Sequence, residues 1–174
     1  MEGCLCDVLN DERSGAGVGG GRVQRVVDCR RLRTEYWDRP DGHIGFHPQN
    51  LATILLDHRL RTWRVTRYLE LYHMLFDDTM LVGDTQFTRG YFCEKGCHRS
   101  VAWALIEGHI LLALGFHVSM QAVCHYHHTL QRCQRHGVCE ACNHDDNAVT
   151  QRIMRTAVDE FFEVMVVADV FLPE

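Results

Sequence analysis

Apolar residues form three short β-type runs after residue 22. Val23, Val26 and Val27 lie in a β-branched stretch that predicts a first strand, closing near Arg30. Residues 87–92 predict a second strand. The alternating segment 117–126 predicts a third.

Between and after these runs the apolar residues recur at helical spacing. This pattern predicts helices over about 50–60 and 63–77, a third over 98–115 and a terminal helix from 149. The third is apolar nearly all round, which predicts burial, and Gly115 is a typical stop. Strands that alternate with helices predict an α/β fold with a mostly parallel sheet and flanking helices.

A length of 174 residues favours one domain. We expect a flexible N-terminal arm over 1–21, because its glycine-rich end buries little surface. An α/β domain over 22–131 comes next. A Cys/His-rich insertion over 132–148 then precedes the C-terminal helix, 149–174.

Composition indicates the cellular location of the protein and the classes of partner that it binds. Apolar residues make up 46% of the chain without an uncharged run of membrane-spanning length, so no membrane partner is expected. No basic segment followed by an apolar one opens the chain, which predicts a cytoplasmic protein without a signal peptide. A net charge of −5 argues against a large positively charged surface for binding nucleic acid.

Nine cysteines are many for such a chain. An odd number without a secretory leader favours free thiols, metal ligands or a nucleophile over a disulfide framework. Of the 18 basic residues, all are arginine except Lys95.

Lys95 lies in the most informative segment, residues 93–100, which reads Cys-Glu-Lys-Gly-Cys-His-Arg-Ser. A strand ending at Cys93 and a helix opening near Arg99 gather unpaired backbone amides at the positive end of a helix dipole. An oxyanion is the natural occupant. The alternative is a merely structural turn.

The side chains of this loop support the same interpretation. Gly96 permits a tight turn, and Arg99 offers parallel charge-assisted hydrogen bonds to phosphate oxygens. Ser100 can cap the helix or donate a further bond, while His98 can serve as acid, base or ligand contact.

The spacing Cys-x-x-Gly-x-x-Arg-Ser also resembles the signature loop of cysteine-dependent phosphatases. That resemblance implies Cys93 as a thiolate nucleophile and requires a general acid nearby. Phe92 stands where that family has a histidine. Four aspartates are available, none in a recognisable acid loop: Asp57, Asp77, Asp78 and Asp84.

More of the chain, about 23–131, resembles the C-terminal domain family of RapZ, a bacterial adaptor of amino-sugar metabolism. Four segments carry the likeness. They are Val27-Asp28-Cys29-Arg30-Arg31-Leu32 with Tyr36-Trp37, the fragment Tyr68-Leu69-Glu70-Leu71, Cys93-x-x-Gly96-x-His98-Arg99-Ser100-Val101, and His127-His128-Thr129-Leu130. His98 before the arginine is typical of this family rather than of the phosphatases. The family's Thr-Gly after the cysteine is Glu94-Lys95 here.

The resemblance implies a sensor of glucosamine-6-phosphate or a similar phosphorylated small molecule, with a protein or RNA partner. It implies that the loop and the end of the first strand hold the ligand. The residues so implied are Asp28, Arg30, Tyr36, Cys93, Glu94, Lys95, Gly96, Cys97, His98, Arg99 and Ser100.

A second candidate cluster lies after the predicted third strand. Cysteine and histidine at these spacings are typical zinc ligands, and the candidates are Cys124, Cys133, His136, Cys139 and Cys142. Two alternatives stay open here: a loop with unpaired thiols, or a redox pair at Cys139 and Cys142.

These motifs are compatible with three functions. The first is a non-catalytic module that binds a phosphorylated small molecule, and the second is a phosphatase with Cys93 as nucleophile. The third is a nucleic-acid adaptor that uses an arginine stripe, against the plainer alternative of a solvated surface. The stripe would comprise Arg30, Arg31, Arg33, Arg59, Arg61, Arg64 and Arg67.

Overall fold

The fold was analysed in a computed structural model. It describes residues 23–32, 45, 47–76, 88–93, 99–120 and 148–171. The predicted arm, 1–21, the residues Tyr36 and 94–98, and the Cys/His-rich stretch lie outside these ranges.

Two parallel strands form the sheet in this part of the chain. β1 runs over Val23–Asp28 and β2 over Thr88–Phe92, with Val27 opposite Tyr91 and Asp28 opposite Phe92. Both match the predicted strands. A 3-10 turn at Cys29–Arg31 replaces the expected end of β1, and the Asp28 carboxylate caps it by accepting from the Arg30 amide at 2.9 Å.

Four α-helices complete the described fold. They are α1 (Pro48–Leu56), α2 (Arg61–Phe76), α3 (Arg99–Ala113) and α4 (Ala148–Phe171). The first two connect β1 to β2, as a parallel pair requires. α4 packs against each of the other three helices. No described helix has both the length and the hydropathy to cross a membrane.

Local chemistry sets the helix ends. α1 begins with Pro48 at its first position, and the His47 ring nitrogen accepts from the Gln49 amide. α3 ends as predicted, since Gly115 has a φ of 87° and its amide donates to the Leu112 carbonyl at 3.0 Å. The Phe116 amide donates to Leu111 at 3.0 Å, which completes a Schellman motif.

Three aromatic rings occupy the centre of the core. Trp103 on α3 stacks on Tyr68 of α2 with ring centroids 5.7 Å apart, and Phe161 of α4 meets Tyr68 edge-on at 5.7 Å. All three side chains are fully buried. Trp103 is one of eight buried residues among the 15 of α3, so the predicted burial is confirmed over most of this helix.

A buried arginine on α2 connects α4 to α1 and α2. The Arg64 guanidinium, 5% exposed, contacts the Glu160 carboxylate at 2.7 Å and donates to the carbonyls of Ile54 and Asp57 at 2.9 and 3.0 Å. The Tyr68 hydroxyl donates to the same carboxylate at 3.1 Å. Arg64 thus satisfies the end of α1 and fixes α4 at once.

Two sequence predictions need correction. Residues 116–120 contain no strand, so the start of the predicted third strand is wrong, while 121–126 lie outside the described ranges. The proposed arginine stripe is also broken, because Arg64 is buried. Three more of its members form ion pairs, with Asp28, Asp57 and Glu70; they are Arg30, Arg59 and Arg67.

Replacing Arg64 with methionine should lower the free energy of unfolding by about 3 kcal/mol, because two carbonyls and a carboxylate lose a buried partner. Urea denaturation measures this. Arg59→Met is the matched control, since its ion pair with Asp57 involves an arginine that is 50% exposed, and should cost less than about 1 kcal/mol. Equal losses for the two variants would contradict this account of Arg64.

Candidate anion-binding site

The candidate site lies at one edge of the sheet, where both strands end. Because β1 and β2 are parallel and in register, Asp28 and Phe92 finish side by side. Cys93 comes directly after β2, and α3 begins at Arg99, as the sequence predicts. The carboxyl ends of parallel strands are where α/β proteins bind their ligands.

Arg99 reaches across this edge. Its Nη1 donates to the backbone carbonyl of Arg30 at 2.8 Å, so the first side chain of α3 is joined to the turn after β1. The residue is half-buried. A guanidinium is thereby placed beside the amino terminus of α3, whose dipole is positive at the same end.

The second arginine at this edge forms an ion pair with Asp28. The Arg30 guanidinium pairs with Asp28 at 2.7 Å and its Nε donates to the same carboxylate at 2.9 Å. It also stacks over the Phe92 ring, 5.0 Å from the centroid. This pairing lowers the pKa of Asp28, chiefly through the hydrogen bonds from Arg30, so the carboxyl is ionised at neutral pH.

Cys93 and Ser100 form the base of the site. The Cys93 Sγ lies 3.2 Å from the Ser100 Oγ, and both residues are almost fully buried, at 3% and 4% exposed. Ser100 is the second residue of α3. Its hydroxyl therefore joins the start of α3 to the residue after β2.

A buried ion pair lies behind this base. Arg89 of β2 and Glu107 of α3 are 2% and 1% exposed, with Nε and Oε1 2.9 Å apart. The N–H is not directed at the oxygen well enough for a hydrogen bond, so the two groups attract as an ion pair once Glu107 is ionised. Burial raises the pKa of Glu107 to about 7, while the Arg89 charge and the polar groups of Tyr91 and Trp103 oppose the shift.

A second thiol shares this interior. Cys29 is fully buried at the start of the turn after β1, and burial together with the Cys93 thiol raises its pKa well above the ordinary value. Glu107 adds to the same shift. The interior behind the strand ends thus holds two thiols and one carboxyl.

Of the predicted ligand residues, five lie together at the strand ends: Asp28, Arg30, Cys93, Arg99 and Ser100. The others lie outside the described residues: Tyr36, Glu94, Lys95, Gly96, Cys97 and His98. The same holds for the predicted zinc ligands, which are Cys124, Cys133, His136, Cys139 and Cys142. Within the described ranges no three metal-binding side chains converge.

Comparison of the chain with protein-family models, with curated proteins and with solved structures gave no match.

Sequence reasoning missed the ion pair of Arg89 and Glu107. Arg89 stands in a short strand and Glu107 is the one acidic residue in α3. A lone acid in an otherwise apolar helix was the available signal, because such a residue needs a buried partner. The identity of that partner depends on how α3 packs on β2.

Glu107 should make the folded state less stable as pH rises. The folded carboxyl keeps its proton to about pH 7, whereas an ordinary glutamate releases it near 4.5, so the folded state binds more protons between these values. The free energy of unfolding falls as pH rises through this window, by about 2 to 3 kcal/mol.

Glu107→Gln should remove this part of the pH dependence, measured by urea denaturation at several pH values. The informative quantity is the difference in slope between variant and wild type. Glu163→Gln, at an exposed position on α4, controls for loss of a carboxylate. An unchanged slope in Glu107→Gln would contradict the assignment.

Proposed function

We propose that this protein is a phosphate-anion binding domain that senses a phosphorylated small molecule, such as an amino-sugar phosphate, and acts as a regulatory adaptor. The position of Arg99 is the observation that carries the proposal. At the amino terminus of α3 it bonds to the Arg30 carbonyl at 2.8 Å, and it thereby bridges the two strand ends.

The electrostatics of the strand ends support an anion. Arg99 brings a guanidinium to this edge, and the amino terminus of α3 adds a partial positive charge that favours an anion. A phosphate there would meet a guanidinium already held in place, which reduces the conformational entropy lost on binding.

The loop over 94–98 would supply the remaining contacts. In this proposal the amides of Glu94, Lys95 and Gly96 close around the phosphate, with His98 beside it. Tyr36, Asp28 and Arg30 would then face the organic part of the ligand, since Asp28 and Arg30 lie at the end of the neighbouring strand.

The wider architecture is part of the same proposal. We infer that the two described strands belong to a larger, mostly parallel sheet, because residues 121–126 continue an alternating pattern. The adaptor role implies a macromolecular partner, which is a protein or an RNA. Retention on a column of immobilised RNA that weakens as salt rises would identify RNA as the partner.

Arg99→Gln should weaken phosphate binding by roughly 10- to 100-fold, the effect of losing one charge-assisted contact. Isothermal titration with inorganic phosphate and with glucosamine-6-phosphate measures this. Arg152→Gln removes an exposed arginine on α4 and is the matched control.

Wild type and Arg152→Gln should bind alike, and Arg99→Gln should retain the thermal stability needed for the comparison. Binding that is the same in all three proteins, or no binding in wild type, would overturn the proposal. Tighter binding of the sugar phosphate than of unphosphorylated glucosamine would support a phosphate-directed site.

One contact favours a second candidate, a cysteine-dependent phosphatase. The Ser100 hydroxyl lies 3.2 Å from the Cys93 sulfur, close enough to stabilise a thiolate nucleophile. The carboxyl of Asp28, at the end of β1, favours the binding function over the phosphatase. Its pKa is lowered by Arg30, so Asp28 carries no proton to give to a leaving group near neutral pH.

Turnover of p-nitrophenyl phosphate separates these two functions. We expect wild type to show no turnover above that of Cys93→Ser, and the variant to retain phosphate binding. Hydrolysis by wild type that Cys93→Ser abolishes would establish the phosphatase and exclude a purely binding role.

A further inference from the structure

Cys29 and Cys93 each directly follow the last residue of a strand, and those last residues, Asp28 and Phe92, are partners in the parallel register. Val27 and Tyr91 are partners in the parallel register, and both face the core. Cys29 opens the 3-10 turn after β1, and Cys93 comes directly after β2. Both cysteines are indeed buried, at 0% and 3% exposed.

Because Asp28 and Phe92 are partners, the two cysteines that follow them come from neighbouring chain segments and join the same buried core cluster. Neighbouring strands lie about 4.8 Å apart, within the range of Cα separations found in disulfides, about 4.4 to 6.8 Å. Both cysteines are reduced in this structure. The Cys93 thiol also acts electrostatically on Cys29, as expected for adjacent groups.

From this juxtaposition we infer that Cys29 and Cys93 are a redox pair, which closes to a disulfide when the protein meets a peroxide. The inference is independent of anion binding, since it needs only the register of β1 and β2 and the burial of both thiols.

The two cysteines have distinct roles in the reaction. Cys93 borders the loop and contacts the Ser100 hydroxyl, whereas Cys29 is fully buried and its thiolate is disfavoured. The Cys93 thiolate therefore attacks the peroxide oxygen; the O–O bond breaks, and a sulfenic acid and hydroxide form. The hydroxide takes up the proton that Cys93 released.

Cys29 then resolves this intermediate. Its sulfur attacks the Cys93 sulfur, the S–S bond forms, and the S–O bond breaks. The hydroxide that leaves combines with the Cys29 proton as water. Two thiols and one peroxide give one disulfide and two waters, and a dithiol reductant reverses the bond.

The chain's own arginines and its single lysine make this bond easy to identify. Trypsin cleaves after Arg25, Arg30, Arg89 and Lys95. It places Cys29 in peptide 26–30 and Cys93 in peptide 90–95, while Cys97 falls in a separate peptide, 96–99. Each pairing of Cys93 therefore gives a linked peptide of its own mass.

The native full-length chain is treated with a small molar excess of hydrogen peroxide, and remaining thiols are blocked with N-ethylmaleimide in acidic denaturant. Non-reducing digestion and mass spectrometry should find peptide 26–30 linked to 90–95, lighter by two hydrogens than the two free peptides. Dithiothreitol added before blocking should remove this species.

Two variants test the order of events. In Cys29→Ala no partner resolves the intermediate, so Cys93 should be recovered as sulfinic acid or as a trapped sulfenic acid. In Cys93→Ala, Cys29 should stay reduced at the same peroxide dose. Circular dichroism confirms that each variant is folded before treatment.

Three results would overturn the inference. They are a link from Cys93 to Cys97 or to another cysteine in place of Cys29, over-oxidation of Cys93 in wild type while Cys29 remains blocked by maleimide, and recovery of both thiols unreacted.

Discussion

The parallel pairing of β1 and β2 is the constraint on which the other features depend. An antiparallel pair would send the two strand ends to opposite edges, but here α1 and α2 carry the chain back so that both ends meet. Asp28 and Phe92 are partners, and the residues that directly follow them, Cys29 and Cys93, are both buried in the core. The same arrangement lets Arg99, at the start of α3, bond to the turn at Arg30.

Buried charge holds this arrangement together at two levels. Arg64 joins α1, α2 and α4 through one carboxylate and two carbonyls, and Arg89 with Glu107 joins β2 to α3 behind the site. Such pairs gain little net stability over apolar packing, but they are costly to break. They therefore fix the relative positions of the elements more than they add to the total stability. The position of the start of α3 depends on them.

The sequence predicted the elements better than their partners. β-branched residues indicated β1, and the apolar face of α3 with its Gly115 stop indicated that helix to within two residues at its end. The strand expected to begin at 117 was wrong, because 116–120 instead packs back on α3, where Met120 and Val118 lie near Gly108. Arg64 looked like a surface arginine, since its partner Glu160 is 96 residues away. The loop motif indicated the site, but the link from Arg99 to Arg30 depends on a register that no local pattern reveals.

An anion at the first turn of α3 is the central claim, and backbone amide shifts during a titration with inorganic phosphate test it most directly. If the claim holds, the Arg99 and Ser100 amides will shift saturably, whereas amides in the middle of α4, such as that of Thr156, will stay in place. If the largest saturable shifts fall elsewhere, or if the α3 amides do not move, the claim is contradicted.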